Sequence, residues 1–234
     1  MIEQLKINVL GSYHITNCYI IWDKDTKECA IVDPADRYDI ISEKVKKLDL
    51  IVKYVLLTHA HKDHTIALNK LIDNYNVKVI ASIKEKDMLQ GKVNDCSEVF
   101  GLKQISLNMD DFIFLDDEEE INIGNIKIKI IYTPGHTKGS ACYYIKAENV
   151  LITGDTLFSD CFGRCDLDSA SIDDMINSLI KLYKEYNNVY IYPGHGEIGM
   201  KLKYTYNNVK RILKNSFNIE LDKLLNEGDI NESF

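Results

Sequence analysis

Apolar positions fall along this chain in two rhythms. Short runs rich in β-branched and aromatic side chains predict strands, and stretches with apolar residues three and four apart predict helices. Leu5-Lys6-Ile7-Asn8-Val9-Leu10 alternates as a first strand should, and Cys18–Trp22 and Cys29–Val32 form a predicted hairpin around a polar turn. Ile40, Ile41, Val45 and Leu48 mark a helix over 37–49, followed by a strand at 53–58, a helix at 65–74, a strand at 77–81 and a short helix at 84–89. Residues 91–111 lack either rhythm and read as a long surface segment, of the kind that is often functional. Strands follow at 121–123, 126–132, 141–145 and 150–153, then a helix at 171–185, a strand at 189–192, and helices at 201–215 and 218–226. Strands alternating with helices argue for an α/β layered fold. No linker interrupts the pattern, so 1–234 reads as one domain, with 200–234 as a short C-terminal helical extension.

The ends of the strands carry the chemistry. Thr58-His59-Ala60-His61-Lys62-Asp63-His64 sits where the apolar run 52–57 gives way to helical spacing, and it holds three of the six histidines. Alternate side chains of an extended segment point the same way, so His59 and His61 can converge on one point. Asp63 and His64 face away or begin the helix, and can serve a second point nearby. Neutral imidazole and carboxylate are donors that zinc, iron or manganese accept. Two of the three prolines stand in matching contexts, Thr133-Pro134-Gly135-His136 and Tyr192-Pro193-Gly194-His195, each closing a predicted strand. Proline ends the ladder and glycine allows a sharp turn, so each histidine leaves a stiff corner. A buried strand also ends at Gly154-Asp155. Only His14, in the loop 11–17, lies outside these motifs, and it reads as a surface or packing residue.

Composition narrows the field. Apolar content of 45% and charged content of 27% are ordinary for a globular protein, and a net charge of −8 argues against a nucleic-acid surface. No apolar run approaches the ~18–20 residues of a membrane helix, and the N-terminus shows no signal-peptide pattern. Six scattered cysteines read as free thiols, which points to the cytoplasm. Asp116-Asp117-Glu118-Glu119-Glu120 reads as a solvated turn, without the spacing of a calcium loop.

The order His-x-His-x-Asp-His, PGH, GD, PGH resembles the metallo-β-lactamase superfamily along nearly the whole chain. The similarity is greatest to its glyoxalase II-like (hydroxyacylglutathione hydrolase-like) branch, and Phe162-Gly163-Arg164 adds to it. The resemblance implies an αβ/βα sandwich, two central mixed sheets with helices on the outer faces. It implies that His59, His61 and His136 bind one divalent metal, that Asp63, His64 and His195 bind a second, and that Asp155 bridges them. Zinc is the expected metal, with iron and manganese as other candidates. Two such ions about 3.5 Å apart share and acidify a water, so a metal-bridging hydroxide would attack a thioester or related small acyl substrate, oriented by Asp63 as the catalytic carboxylate.

Two departures stand out. Ala67 replaces a glycine frequent in the family, and only residues 196–234 follow the last ligand, too few for the longer helical region that holds glutathione in glyoxalase II. Lys201, Lys203, Lys210 and Arg211 in that tail do not match glutathione ligands. Arg164 is left between a structural ion pair and a contact to a substrate carboxylate, and Cys161 and Cys165 are given no metal or redox role. The competing readings are a mononuclear iron persulfide dioxygenase-like enzyme, a lactonase or nuclease of the same superfamily, and a binding domain without activity.

Overall fold

A computed structural model describes residues 1–227; the end of the expected extension, 228–234, lies outside the described residues. Strands β1 (Ile2–Asn8), β2 (Ile15–Trp22), β3 (Glu28–Val32), β4 (Ile51–Leu56), β5 (Lys78–Ser82) and β6 (Phe112–Leu115) form one sheet in that order. Strands β7 (Glu120–Ile123), β8 (Ile126–Tyr132), β9 (Ala141–Ile145), β10 (Val150–Gly154), β11 (Tyr190–Pro193) and β12 (Met200–Lys201) form the other, with β7 and β12 at its edges. Both sheets are mixed: β3–β4–β5–β6 and β10–β11 pair parallel, and the remaining pairs run antiparallel.

Helices α1 (Tyr38–Lys47), α2 (Lys62–Thr65), α3 (Leu68–Tyr75) and α4 (Lys86–Leu89) belong to the first half, and α5 (Ile172–Glu185), α6 (Tyr206–Phe217) and α7 (Leu221–Glu227) to the second. The apolar interior divides into three layers. Cys18, Ile20, Trp22, Cys29 and Ile31 meet Ile41 and Val45 of α1 and Leu68 and Leu71 of α3. Their sequence neighbours Tyr19, Ile21, Ala30 and Val32 turn inward against Ile128, Ile130, Tyr143 and Ile152 of the second sheet. Strands β2 and β3 are apolar at nearly every position because both faces are covered. The third layer packs Ile131, Cys142, Leu151 and Ile191 on Met175, Leu179, Val209 and Leu213 of α5 and α6. The result is the αβ/βα sandwich that the family resemblance implies.

The structure departs from the sequence expectation in three places. The helix expected from 201 begins only at Tyr206, after the short strand β12. β6 follows the segment 91–111 and is not among the expected strands; Phe112–Leu115 is an unbroken apolar run between acidic residues, with no alternation to mark it. The helix expected over 65–74 breaks in two at Ala67, whose amide donates to Ala35 O instead of continuing the helical ladder. Ala67 is itself buried against that loop, touching none of the motif residues through a hydrogen bond.

Reciprocal tyrosines join the sheets. Tyr19 of β2 donates its hydroxyl to Pro193 O at the end of β11, and Tyr143 of β9 donates to Leu57 O just beyond β4, at 2.9 Å. Each ties one sheet to a histidine-bearing turn of the other. Tyr143→Phe removes the hydroxyl donor that reaches buried Leu57 O, and is expected to cost about 1–2 kcal/mol of stability, read from the urea midpoint at unchanged slope.

Candidate metal centre

The strand ends β4, β8, β10 and β11 open onto one seam between the sheets. His59 and His61 leave β4 in extended conformation, and His61 stands as the N-cap residue of α2, which carries Asp63 and His64. His136 follows the turn after β8, Asp155 follows β10, and His195 follows β11. Glycines make the approach possible. At Gly194 a Cβ would lie 2.2 Å from Asp155 Oδ1, and Gly154 turns with a φ of +48° under the Thr58 side chain.

Seven side chains named from the sequence meet here, in two groups. The rings of His59, His61 and His136 form a nearly even triangle, with centroids 4.8, 4.9 and 4.7 Å apart. Their ligand atoms lie within 4.8 Å of one another, as do those of His64, Asp155 and His195. Asp63 Oδ2 faces the second group, 3.4 Å from His64 Nε2 and 3.3 Å from His195 Nε2. Asp155 lies between the groups, its Oδ2 3.5 Å from His136 Nε2 and 3.3 Å from His195 Nε2.

Outer partners orient the rings. His64 Nδ1 donates to Asp33 Oδ2 at 3.0 Å, His136 Nδ1 to Arg164 O at 2.9 Å and His195 Nδ1 to Ile15 O at 2.6 Å. His59 Nδ1 lies 3.1 Å from Thr58 Oγ1, and that hydroxyl donates to Asp33 Oδ2 at 2.6 Å. Asp33 thus fixes two imidazoles, one directly and one through Thr58. In each of these four rings Nε2 is turned inward, while His61 turns its Nδ1 toward His136 Nε2 at 2.9 Å; either nitrogen can ligate a metal. Buried Glu85 performs a comparable service for the loops, accepting from Ala60 N at 2.9 Å, Thr137 Oγ1 at 2.6 Å and Gly139 N at 2.9 Å.

The electrostatics differ between the groups. Burial lowers His59 well below the usual imidazole range and pushes His61 down to about 3, so both present neutral lone pairs. Burial acts on His64 and His195 too, but carboxylates outweigh it. Asp63, Asp155 and Asp33 lift His64 to about 9, and Asp155 and Asp63 lift His195 to about 11. Burial alone would raise both carboxyls; the facing imidazoles hold Asp63 and Asp155 well below their ordinary range. The donor set fits divalent cations. His59 Nε2 and Asp155 Oδ1 are buried without hydrogen-bond partners, and both belong to the cluster. The contacts of 3.3–3.5 Å around Asp155 and His195 are longer than charge-assisted hydrogen bonds and suit atoms aimed at a shared centre.

Sequence reasoning missed three residues of the site. His14 is not a mere surface or packing residue: its Nε2 stands 2.8 Å from Asp63 Oδ2, and its ring lies edge-on to His195 and Phe100. Nothing in loop 11–17 announces this, because the partner is 49 residues away. Asp33 did carry a signal, a carboxylate followed by Pro34 at the end of a strand, which is the device seen at the other strand ends. Glu85 lies in an unremarkable short helical stretch. Arg164 forms a two-pronged ion pair with Asp166, at 2.9 Å in both contacts, while its backbone carbonyl holds His136. Cys161 and Cys165 are free thiols raised by burial to about 11, which suits neither ligation nor redox chemistry.

The family model described as "Metallo-beta-lactamase superfamily" matches residues 12–195. The chain is 32% identical to the hydroxyacylglutathione hydrolase GloC of Haemophilus influenzae over 77% of this chain and 85% of that protein. It is 33% identical to the "Probable polyketide biosynthesis zinc-dependent hydrolase PksB" of Bacillus subtilis, covering 76% of this chain and 72% of that one. Among solved structures, the BLEG-1 B3 metallo-β-lactamase superimposes with a TM-score of 0.78 at 28% identity, covering 88% of this chain and 97% of the other. No helix among the described residues is long and apolar enough to cross a membrane.

Two variants test the supports rather than the cluster. Glu85→Ala strands three buried donors and is expected to cost about 3 kcal/mol or more in urea unfolding, with weaker metal retention. His14→Ala, at a half-exposed side chain, is expected to change stability by less than about 0.5 kcal/mol yet weaken zinc binding about 10- to 100-fold in a chelator competition.

Proposed function

The chain belongs to the metallo-β-lactamase superfamily, and from that premise we propose that it is a binuclear metallohydrolase that cleaves a thioester or related small acyl substrate. What supports this reading best is the convergence of two donor groups, His59-His61-His136 and Asp63-His64-His195, on either side of Asp155. In this proposal His59, His61 and His136 would hold one zinc ion and Asp63, His64 and His195 another, with Asp155 within reach of both groups, and the chain would act as one domain. Divalent ions held there supply an acidified water and a Lewis acid for the carbonyl oxygen.

The chain's own groups then divide the remaining work. Asp63 Oδ2, steadied by His14 Nε2 and by Thr16 Oγ1 at 3.2 Å, accepts a hydrogen bond from the attacking water and so aims it. Asp33, Thr58 and the carbonyls of Ile15 and Arg164 keep the imidazole Nε2 atoms pointed inward through turnover. Water adds to the acyl carbon, the carbon–sulfur bond breaks, and an acid and a thiol depart. A thiolate is a good enough leaving group to go without a dedicated general acid. Among the described residues none is placed as one: Arg164 is occupied by Asp166, and the nearby thiols Cys96 and Cys161 are held protonated by burial.

A metal count joined to a screen of thioesters, lactones and phosphodiesters tests the reading. Two zinc ions per chain with thioester cleavage are expected. His59→Ala is expected to lower the metal content and cut hydrolysis at least about a hundredfold. Full turnover in that variant would refute the site assignment, and one iron per chain with oxygen consumption and no hydrolysis would replace the reaction.

A further inference from the structure

A cleft of about 370 Å³ opens beside the donor cluster, with His61, Asp63, His136, Asp155 and His195 on one wall. The facing wall is apolar. Val99 and Phe100 come from the segment after α4, and Phe158, Phe162 and Leu167 from the segment after β10. The Phe158 ring stands 6.0 Å from the His195 ring, and Phe100 lies 5.4 Å from His14, so the aromatic wall begins at the donors themselves. Val99 is 73% exposed, a large apolar side chain left facing solvent at the mouth.

The cations that could receive a substrate carboxylate are elsewhere or engaged. Arg164 is the only lysine or arginine lining the cleft among the described residues, and both arms of its fork are bonded to Asp166. In the tail, Lys203 donates to Asn188 and Lys210 to Asp222, while Lys201 lies over the Tyr190 ring. Tyr190 begins β11 and pairs with Lys201, whereas His195 follows that strand's other end. Lys201 is therefore held at the far end of that strand from His195, and where α6 approaches the cleft it brings the Phe217 ring, 6.4 Å from Phe162.

Resting on the hydrolase reading above, we infer that the substrate class is a thioester with an apolar acyl chain and no carboxylate close to the scissile bond, its chain laid along Val99, Phe100, Phe158 and Phe162. A carrier with two carboxylates, such as glutathione, finds no unpaired lysine or arginine lining the cleft among the described residues, while each acyl methylene gains an apolar wall.

The test uses the zinc-loaded protein and acetyl, butyryl, hexanoyl and succinyl thioesters of one uncharged thiol, N-acetylcysteamine, together with S-lactoylglutathione. We expect kcat/KM to rise about fourfold per methylene from acetyl to hexanoyl. Succinyl should fall at least about tenfold below butyryl. Val99→Ser, at an exposed position that leaves folding intact, is expected to reduce the hexanoyl value more than the acetyl value. A flat or falling series, or S-lactoylglutathione as the best substrate, overturns this inference while leaving the hydrolase reading standing. Binding of the uncleavable S-methyl and S-hexyl thioethers, measured by calorimetry, reads the wall without chemistry. Tighter hexyl binding supports the inference and equal binding overturns it, even if no thioester is cleaved and the hydrolase reading falls.

Discussion

Imidazoles and carboxylates crowded into a buried seam lose hydration and pair with one another in any available geometry unless each is tied from behind. Two buried carboxylates provide the ties. Asp33 reaches His64 directly and His59 through Thr58, and Glu85 gathers the backbone of the first histidine loop and of the loop after β8 onto one side chain. A buried carboxylate without partners would cost several kcal/mol, and each of these is repaid only when three donors arrive together. Asp33 draws its donors from the first half alone, whereas Glu85 takes Ala60 N from that half and Thr137 Oγ1 and Gly139 N from the other, so the second tie forms only once the sandwich is closed. Fold and site share this one condition.

That dependence explains where the seam lies. The parallel pairs β3–β4 and β10–β11 deliver their carboxyl ends to the same edge, so Asp33, His59, Asp155 and His195 emerge side by side. Stiff strand ends hold the inner groups, whereas the cleft's outer wall comes from connecting segments after α4 and β10. The chemistry is therefore set by the sheets, and the choice of substrate by segments that can vary without disturbing them.

Much of this was legible in the chain because it was local. Strands β2, β3, β4, β8 and β10 announce themselves as apolar runs, and Pro-Gly-His marks its own corner through two residues with restricted or unusual backbones. All seven donors could be named this way. What stayed hidden was pairing across distance. His14 meets Asp63 and Glu85 meets Thr137, contacts separated by 49 and 52 residues and made by side chains whose neighbours in sequence are ordinary. Strand β6 escaped for a different reason: its four apolar residues show no alternation, and its place is set by pairing with β5.

The split of the donors between the two sheets also orders events during synthesis. His59, His61, Asp63 and His64 leave the ribosome first, and His195, which completes the second group, follows 131 residues behind His64. A nascent chain thus carries an open half-set of these side chains, already within reach of Asp33 and Thr58 but without His136, Asp155 and His195. Cation capture becomes the closing step of biogenesis, and an unfinished or misdocked chain can hold ions only loosely.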